Sequence, residues 1–128
     1  MTTFAPETFA HDWAAAWNRR DLDAVLAHFT EDVVFSTPKA LDAVGRPTVQ
    51  GKAALRAYWE TALSKITTLH FTVVRPVWDG THRELGIVYD REVNGHRDRA
   101  LELLAFRPDG MIASGEVFYG VLPVLPMH

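Results

Sequence analysis

Near Thr67 the spacing of apolar residues changes from helical to alternating, and this change constrains the fold more than any other feature of the chain. Upstream, apolar side chains recur every three to four residues, the mark of helices with one buried stripe. Phe9, Trp13 and Trp17 share a face behind a Pro6-Glu7 start. Proline loses no hydrogen bond at the first helical position, and an early acid suits the helix dipole. Asn18-Arg19-Arg20-Asp21 breaks that helix, and Asp21 is placed to cap a second whose stripe is Leu22, Val25, Leu26 and Phe29. Val33-Val34-Phe35 reads as a short strand ending near Pro38, and residues 39–50 read as a loop. From Gly51, the run Leu55, Tyr58, Trp59, Ala62, Leu63 and Ile66 predicts a third helix.

Downstream the period is two. Leu69, Phe71, Val73 and Val77 alternate with more polar neighbours, and Asn94-Gly95 is a tight-hairpin signal. A two-residue turn sets Val93 opposite His96. It then aligns three opposite-charge pairs, Glu92 with Arg97, Arg91 with Asp98 and Asp90 with Arg99. The same register predicts Ile87 opposite Glu102 and Leu85 opposite Leu104. A second turn at Asp109-Gly110 leads to a last strand from Met111 to Val121, with Glu102 opposite Val117. The expected fold is therefore α+β. Three N-terminal helices pack on a curved, mixed, mainly antiparallel sheet to form a cone with an internal apolar pocket, one domain over residues 1–128.

Both sheet faces are apolar near the middle. Leu85, Ile87, Tyr89, Ala100, Leu104, Phe106, Val117 and Tyr119 share one face, and Val88, Leu101, Leu103 and Phe118 share the other. Three helices cover only one face, so a homodimer through the outer face is expected. The tail at 121–126, broken by two prolines, is expected to dock as an extended segment at the subunit contact or the pocket mouth.

Composition closes off several function classes. With 48% hydrophobic and 23% charged residues the chain can build a real core. A net charge of −3 with no basic block argues against nucleic-acid binding. The absence of cysteine removes disulfides and thiolate metal sites. No window has the apolar length of a membrane span, and the N-terminus does not read as a signal peptide, so a cytoplasmic protein is expected. The six histidines show no metal spacing, no glycine-rich phosphate loop is present, and Ser114-Gly115 lies within a strand rather than at a nucleophile elbow. No metal and no cofactor is expected.

The order helix, helix, short strand, helix, then strands resembles the nuclear-transport-factor-two-like superfamily, particularly its SnoaL-like members. So does the segment from Trp17-Asn18-Arg19-Arg20-Asp21 to Val33-Val34-Phe35, and Gly51-Lys52-Ala53-Ala54-Leu55 looks like the start of that family's third helix. The resemblance covers essentially the whole chain. It implies a conical fold with a pocket between helices and sheet. It does not imply one chemistry, because the superfamily holds isomerases, cyclases, dehydratases, epoxide hydrolases and non-enzymatic binders.

Site residues carry over one at a time. The ketosteroid isomerases place an Asp base before a proline after the first strand; here Thr37 precedes Pro38 and cannot take an α-proton at neutral pH. Their oxyanion-hole tyrosine is matched by Trp13, a further tyrosine by Trp59, and their protonated Asp by Glu102. The acid is kept while the base is lost. The final-strand Asp of limonene epoxide hydrolases would fall near Val117, which cannot serve. The polyketide cyclases use an acid/base residue on a readily enolised substrate, a role open to Glu102.

Within Ala100-Leu101-Glu102-Leu103-Leu104 a charge is out of place, and burial there would raise the pKa of Glu102 and make it a proton carrier. Against this stands a carboxylate paired with Arg75 or Arg91. Tyr89 and Tyr119 share the inferred pocket face and would orient a substrate carbonyl. The expected pocket walls are Trp13, Trp17, Phe35, Thr37, Tyr58, Trp59, Phe71, Leu104, Phe106 and Val117, suited to a small, flat, apolar organic molecule. Two functions follow. One is a cofactor-independent isomerase, cyclase or dehydratase acting by proton transfer on a small apolar carbonyl or polyketide-like substrate. The other is a non-catalytic small-ligand-binding or dimerising module of the same fold.

Overall fold

A computed structural model describes residues 4–123. The order of elements is α1 (Pro6–Asn18), α2 (Leu22–Leu26), β1 (Phe29–Ser36), α3 (Pro38–Val44), β2 (Thr48–Gln50), α4 (Lys52–Ser64), β3 (Leu69–Asp79), β4 (Glu84–Val93), β5 (His96–Phe106) and β6 (Ile112–Tyr119). The strands form one sheet in the order β2-β1-β6-β5-β4-β3. Every pairing is antiparallel except β1 with β6. The α+β class and the mainly antiparallel mixed sheet are as expected. The docking expected of the tail falls, from residue 124 on, outside the described residues.

Local chemistry explains the element ends. Pro6 opens α1, and the Asp21 carboxylate accepts from Ala24 N at the start of α2. The Asn94-Gly95 turn has both residues at positive φ, 53° and 85°. The Asn94 side chain accepts from Thr67 N and Thr68 N and donates to Lys65 O, so the hairpin tip also closes the loop after α4. The register read from the charge pairs is the register observed, including Ile87 with Glu102 and Glu102 with Val117.

Three expectations need correction. Residues 39–50 are not a loop. Thr37 caps α3 by accepting from Lys39 N, Pro38 sits in its first turn, and Gly45 ends it in the left-handed conformation before β2. Only Ala40 of α3 is buried and Leu41 and Val44 are exposed, so no apolar stripe announced this fourth helix. The first strand is longer than Val33-Val34-Phe35, because Phe29 belongs to β1 rather than to α2. Val77 does not share the inner face with Phe71. A bulge between Val73 and Arg75 shifts the register of β3, and Val77 emerges on the outside, 55% exposed.

Helices α1, α2 and α4 cover one face of the sheet over a core that includes Leu26, Phe29, Phe35, Leu55, Leu85, Ile87 and Leu104. Gly115 in β6 makes room for this packing: a Cβ there would lie 2.8 Å from the Phe35 ring and 3.2 Å from Leu104. At the open edge of the sheet, Asn18 donates to Phe71 O (3.0 Å) and accepts from Phe71 N (2.7 Å). The last residue of α1 thus clips onto β3 as a strand would.

Candidate functional site

Alternation places side chains two apart on the same face of a strand. Tyr89 and Arg91 of β4, Glu102 of β5, and Val117 and Tyr119 of β6 therefore project to the helix side, where Trp17 of α1 and Tyr58 and Trp59 of α4 meet them. Together with Phe35, Thr37 and Phe71 they line a cavity of about 120 Å³. This brings together ten of the thirteen residues expected at the site. Leu104 and Phe106 do not line the cavity. They sit one and two inward positions beyond Glu102 along β5, about 7 Å per pair of residues. Leu104 is fully buried core, and Phe106 stacks among Phe4, Phe9 and Trp78. Trp13 stands behind the wall and acts through a hydrogen bond.

That bond goes to the central group. Trp13 Nε1 donates to Glu102 Oε2 at 3.0 Å, and both residues are buried. Among the described residues this is the only hydrogen bond to the carboxyl, and no salt bridge reaches it. Burial pushes the Glu102 pKa up to about 8, with the Trp13 bond and the Arg91 charge pulling weakly the other way. Glu102 is thus mainly neutral at pH 7, with a minor ionised fraction. The pairing with Arg75 or Arg91 does not form, because Arg91 is engaged by the buried Asp98 at 3.3 Å.

The phenols surround this acid. Tyr89 packs edge-on against Trp13 (centroids 4.8 Å) and beside Phe71 (4.9 Å). Burial raises its pKa well above the usual value, and the Glu102 charge adds to this. Burial likewise raises Tyr119 and Tyr58, while the Thr37 hydroxyl works against both shifts. All three phenols therefore stay protonated and able to donate. Trp17 also lines the cavity, and its buried Nε1 has no acceptor among the described residues. Such an orphan donor calls for a partner from outside the protein fold.

Two cations at the cavity were not foreseen as site residues. Lys39 Nζ lies 4.6 Å from the centre of the Tyr119 ring and Arg91 Cζ 4.8 Å from it. Lys39 was hidden by the reading of residues 39–50 as a loop. Arg91 was within reach of sequence, being two residues from Tyr89 on the same face. A wider groove of about 900 Å³ runs outside, between α3, β2 and α4, and shares Lys39, Tyr58 and Ala62 with the inner cavity.

Elsewhere, Asp79, His82 and Glu84 gather within 4.8 Å of one another at the β3–β4 turn. Asp79 spends its carboxylate on Thr81 N, His82 N and His82 Nδ1, which is the pattern of a capped turn. His28 rests edge-on against Phe9, and partial shielding lowers its pKa. Neither group faces the cavity. Among the described residues no helix is long and apolar enough to cross a membrane.

Residues 10–115 match the model of the SnoaL-like domain family. A SnoaL-like protein of unknown function from Burkholderia thailandensis has a similar structure, with a TM-score of 0.79 at 30% identity over 90% of this chain and 93% of that one. TerC, crystallised with polyporic acid, aligns with a TM-score of 0.74 at 18% identity, over 91% of this chain and 92% of its own. The BvnE pinacolase from Penicillium brevicompactum aligns with a TM-score of 0.70 at 18% identity, over 86% and 82%. At that identity the last two share the fold. No protein of curated function matches the sequence.

Proposed function

Since the chain belongs to the SnoaL-like domain family, we propose that it is a small-molecule pocket protein that moves a proton within a bound organic substrate, with Glu102 as the carrier. The observation behind this reading is a fully buried carboxyl at the wall of an aromatic cavity, held by one indole N–H, with a pKa of about 8. A group titrating close to neutral pH can both give and take a proton. The ionised minority removes an α-proton from a readily enolised carbonyl compound, and the acid so formed returns a proton at another carbon or at oxygen. Tyr89 and Tyr119 donate to the carbonyl as it gains charge. Thr37 cannot replace the missing base, so the substrate must enolise easily. Proton transfer of this kind requires no cofactor. Two relatives of the fold, one crystallised with polyporic acid and one a pinacolase, agree with small-molecule chemistry in this architecture.

The test is hydrogen–deuterium exchange at the α-carbon of enolisable benzyl ketones such as phenylacetone, followed by mass spectrometry in D2O. The protein should accelerate exchange, the catalysed rate rising with pH and levelling off above about pH 8, and Glu102→Gln should return it to the buffer rate. Ketones that bind without faster exchange would support the second reading, a non-catalytic ligand carrier. The unmatched Trp17 N–H favours a ligand under either reading. The reading extends to a second copy of the chain on the outer sheet face, where Phe118 of β6 is 47% exposed and Val77 of β3, across β5 and β4, is exposed as well. Light scattering of the purified protein would decide between monomer and dimer.

A further inference from the structure

The charges around the inner cavity and the outer groove are one-sided. Among the described residues the groove is lined by Lys39, Arg46 and Lys65 and by no acid, and the inner cavity adds Arg91. Among the described residues the only carboxyl in either lining is Glu102, which is mainly neutral at pH 7. Among the described residues Lys39, Arg46 and Lys65 enter no salt bridge; Arg91 alone is offset, by Asp98. This cationic stretch belongs to a chain of net charge −3. Lys52, Arg56, Arg99 and Arg107 elsewhere on the surface each have a carboxylate partner, and the three cations of this groove have none among the described residues.

Size adds a second constraint. A cavity of about 120 Å³ accepts little more than one aromatic ring. The two spaces meet at Lys39, Tyr58 and Ala62, and the shared Lys39 ammonium stands over the Tyr119 ring. A ligand larger than one ring that extends from the inner cavity into this groove passes the ammonium.

The geometry points to an elongated carboxylic acid as the ligand class: an apolar ring seated in the inner cavity beside Glu102, and a carboxylate a few bonds away at Lys39, with the remainder along the Arg46–Lys65 groove. This rests on the pocket reading above and adds the charge and length of the ligand. The neutral Glu102 lets such an anion approach without repulsion. The cations outside attract it and hold its polar end in the groove, which leaves the ring end to enter.

The probes are 4-phenylbutyrate and its neutral analogue 4-phenylbutanamide, titrated against the protein and followed by tryptophan fluorescence, since Trp17 and Trp59 line the cavity. The acid should bind roughly tenfold more tightly than the amide. Added salt should weaken the acid alone. Lys39→Gln should reduce the acid to about the affinity of the amide. Arg107→Gln, which removes an exposed cation at the β5–β6 turn paired with Asp109, should change neither. Equal binding of acid and amide, or a preference that survives Lys39→Gln, would overturn the inference and leave the pocket reading standing. Binding of neither probe would overturn both.

Discussion

Replacing Glu102 with Gln should stabilise the protein, and by an amount that depends on pH. In the folded chain the carboxyl holds its proton up to about pH 8, whereas the ordinary value is 4.5. Between those values the unfolded chain releases a proton that the folded chain keeps. The unfolded state then binds fewer protons, so stability falls as pH rises. The fall is about 1.4 kcal/mol per pH unit. From pH 4.5 to pH 7 it accumulates to about 3 kcal/mol, and above pH 8 it levels off near 5 kcal/mol. Glutamine cannot ionise, yet its carbonyl oxygen can still accept from Trp13 Nε1. The variant should match the wild type near pH 4 and exceed it by about 3 kcal/mol at pH 7, a rise in Tm on the order of 10 °C. Urea unfolding of both proteins at intervals from pH 4 to pH 8 measures the difference directly, because every other titrating group is common to the two and cancels. Parallel curves, or a Gln variant weaker at every pH, would refute the claim that Glu102 is held neutral by burial.

Gly115→Ala should destabilise by about 1–3 kcal/mol, since its Cβ would meet the Phe35 ring at 2.8 Å, and denaturant unfolding will show it. Asn18→Ala should cost about 1–3 kcal/mol by leaving the Phe71 N–H and C=O without their partner, and hydrogen exchange should find the Phe71 amide newly exposed.

The sheet was legible because charge, alternation and turn chemistry agreed. Asn94-Gly95 set the turn, three opposite-charge pairs set the register with Glu102 opposite Ile87, and the second turn at Asp109-Gly110 set Glu102 opposite Val117. The site was legible as far as alternation carries, through Tyr89, Glu102, Val117 and Tyr119. It failed in two directions. Leu104 and Phe106 share the correct face, but alternation gives the face and not the distance along it, and the cavity ends before them. Lys39 was out of reach because α3 has no buried stripe, so its signals were only a cap, a proline and a glycine. Arg91 was recognised as the partner of Asp98, and that pairing kept it out of the expected cavity wall although alternation put it on the same face as Tyr89. The bulge in β3 is of the same kind, an extra residue that alternation alone cannot place.

The clip formed by Asn18 has a consequence for how copies of this chain meet. Strand β3 lies at the end of the sheet, and an unpaired strand edge is a template on which another strand can add. At Phe71 both outward backbone groups are already taken by a side-chain amide, so an incoming strand would have to displace α1 to continue the ladder. The same two bonds that hold the first helix against the cavity wall thus also obstruct edge-to-edge polymerisation, and stacking on the sheet's outer face does not meet that obstacle.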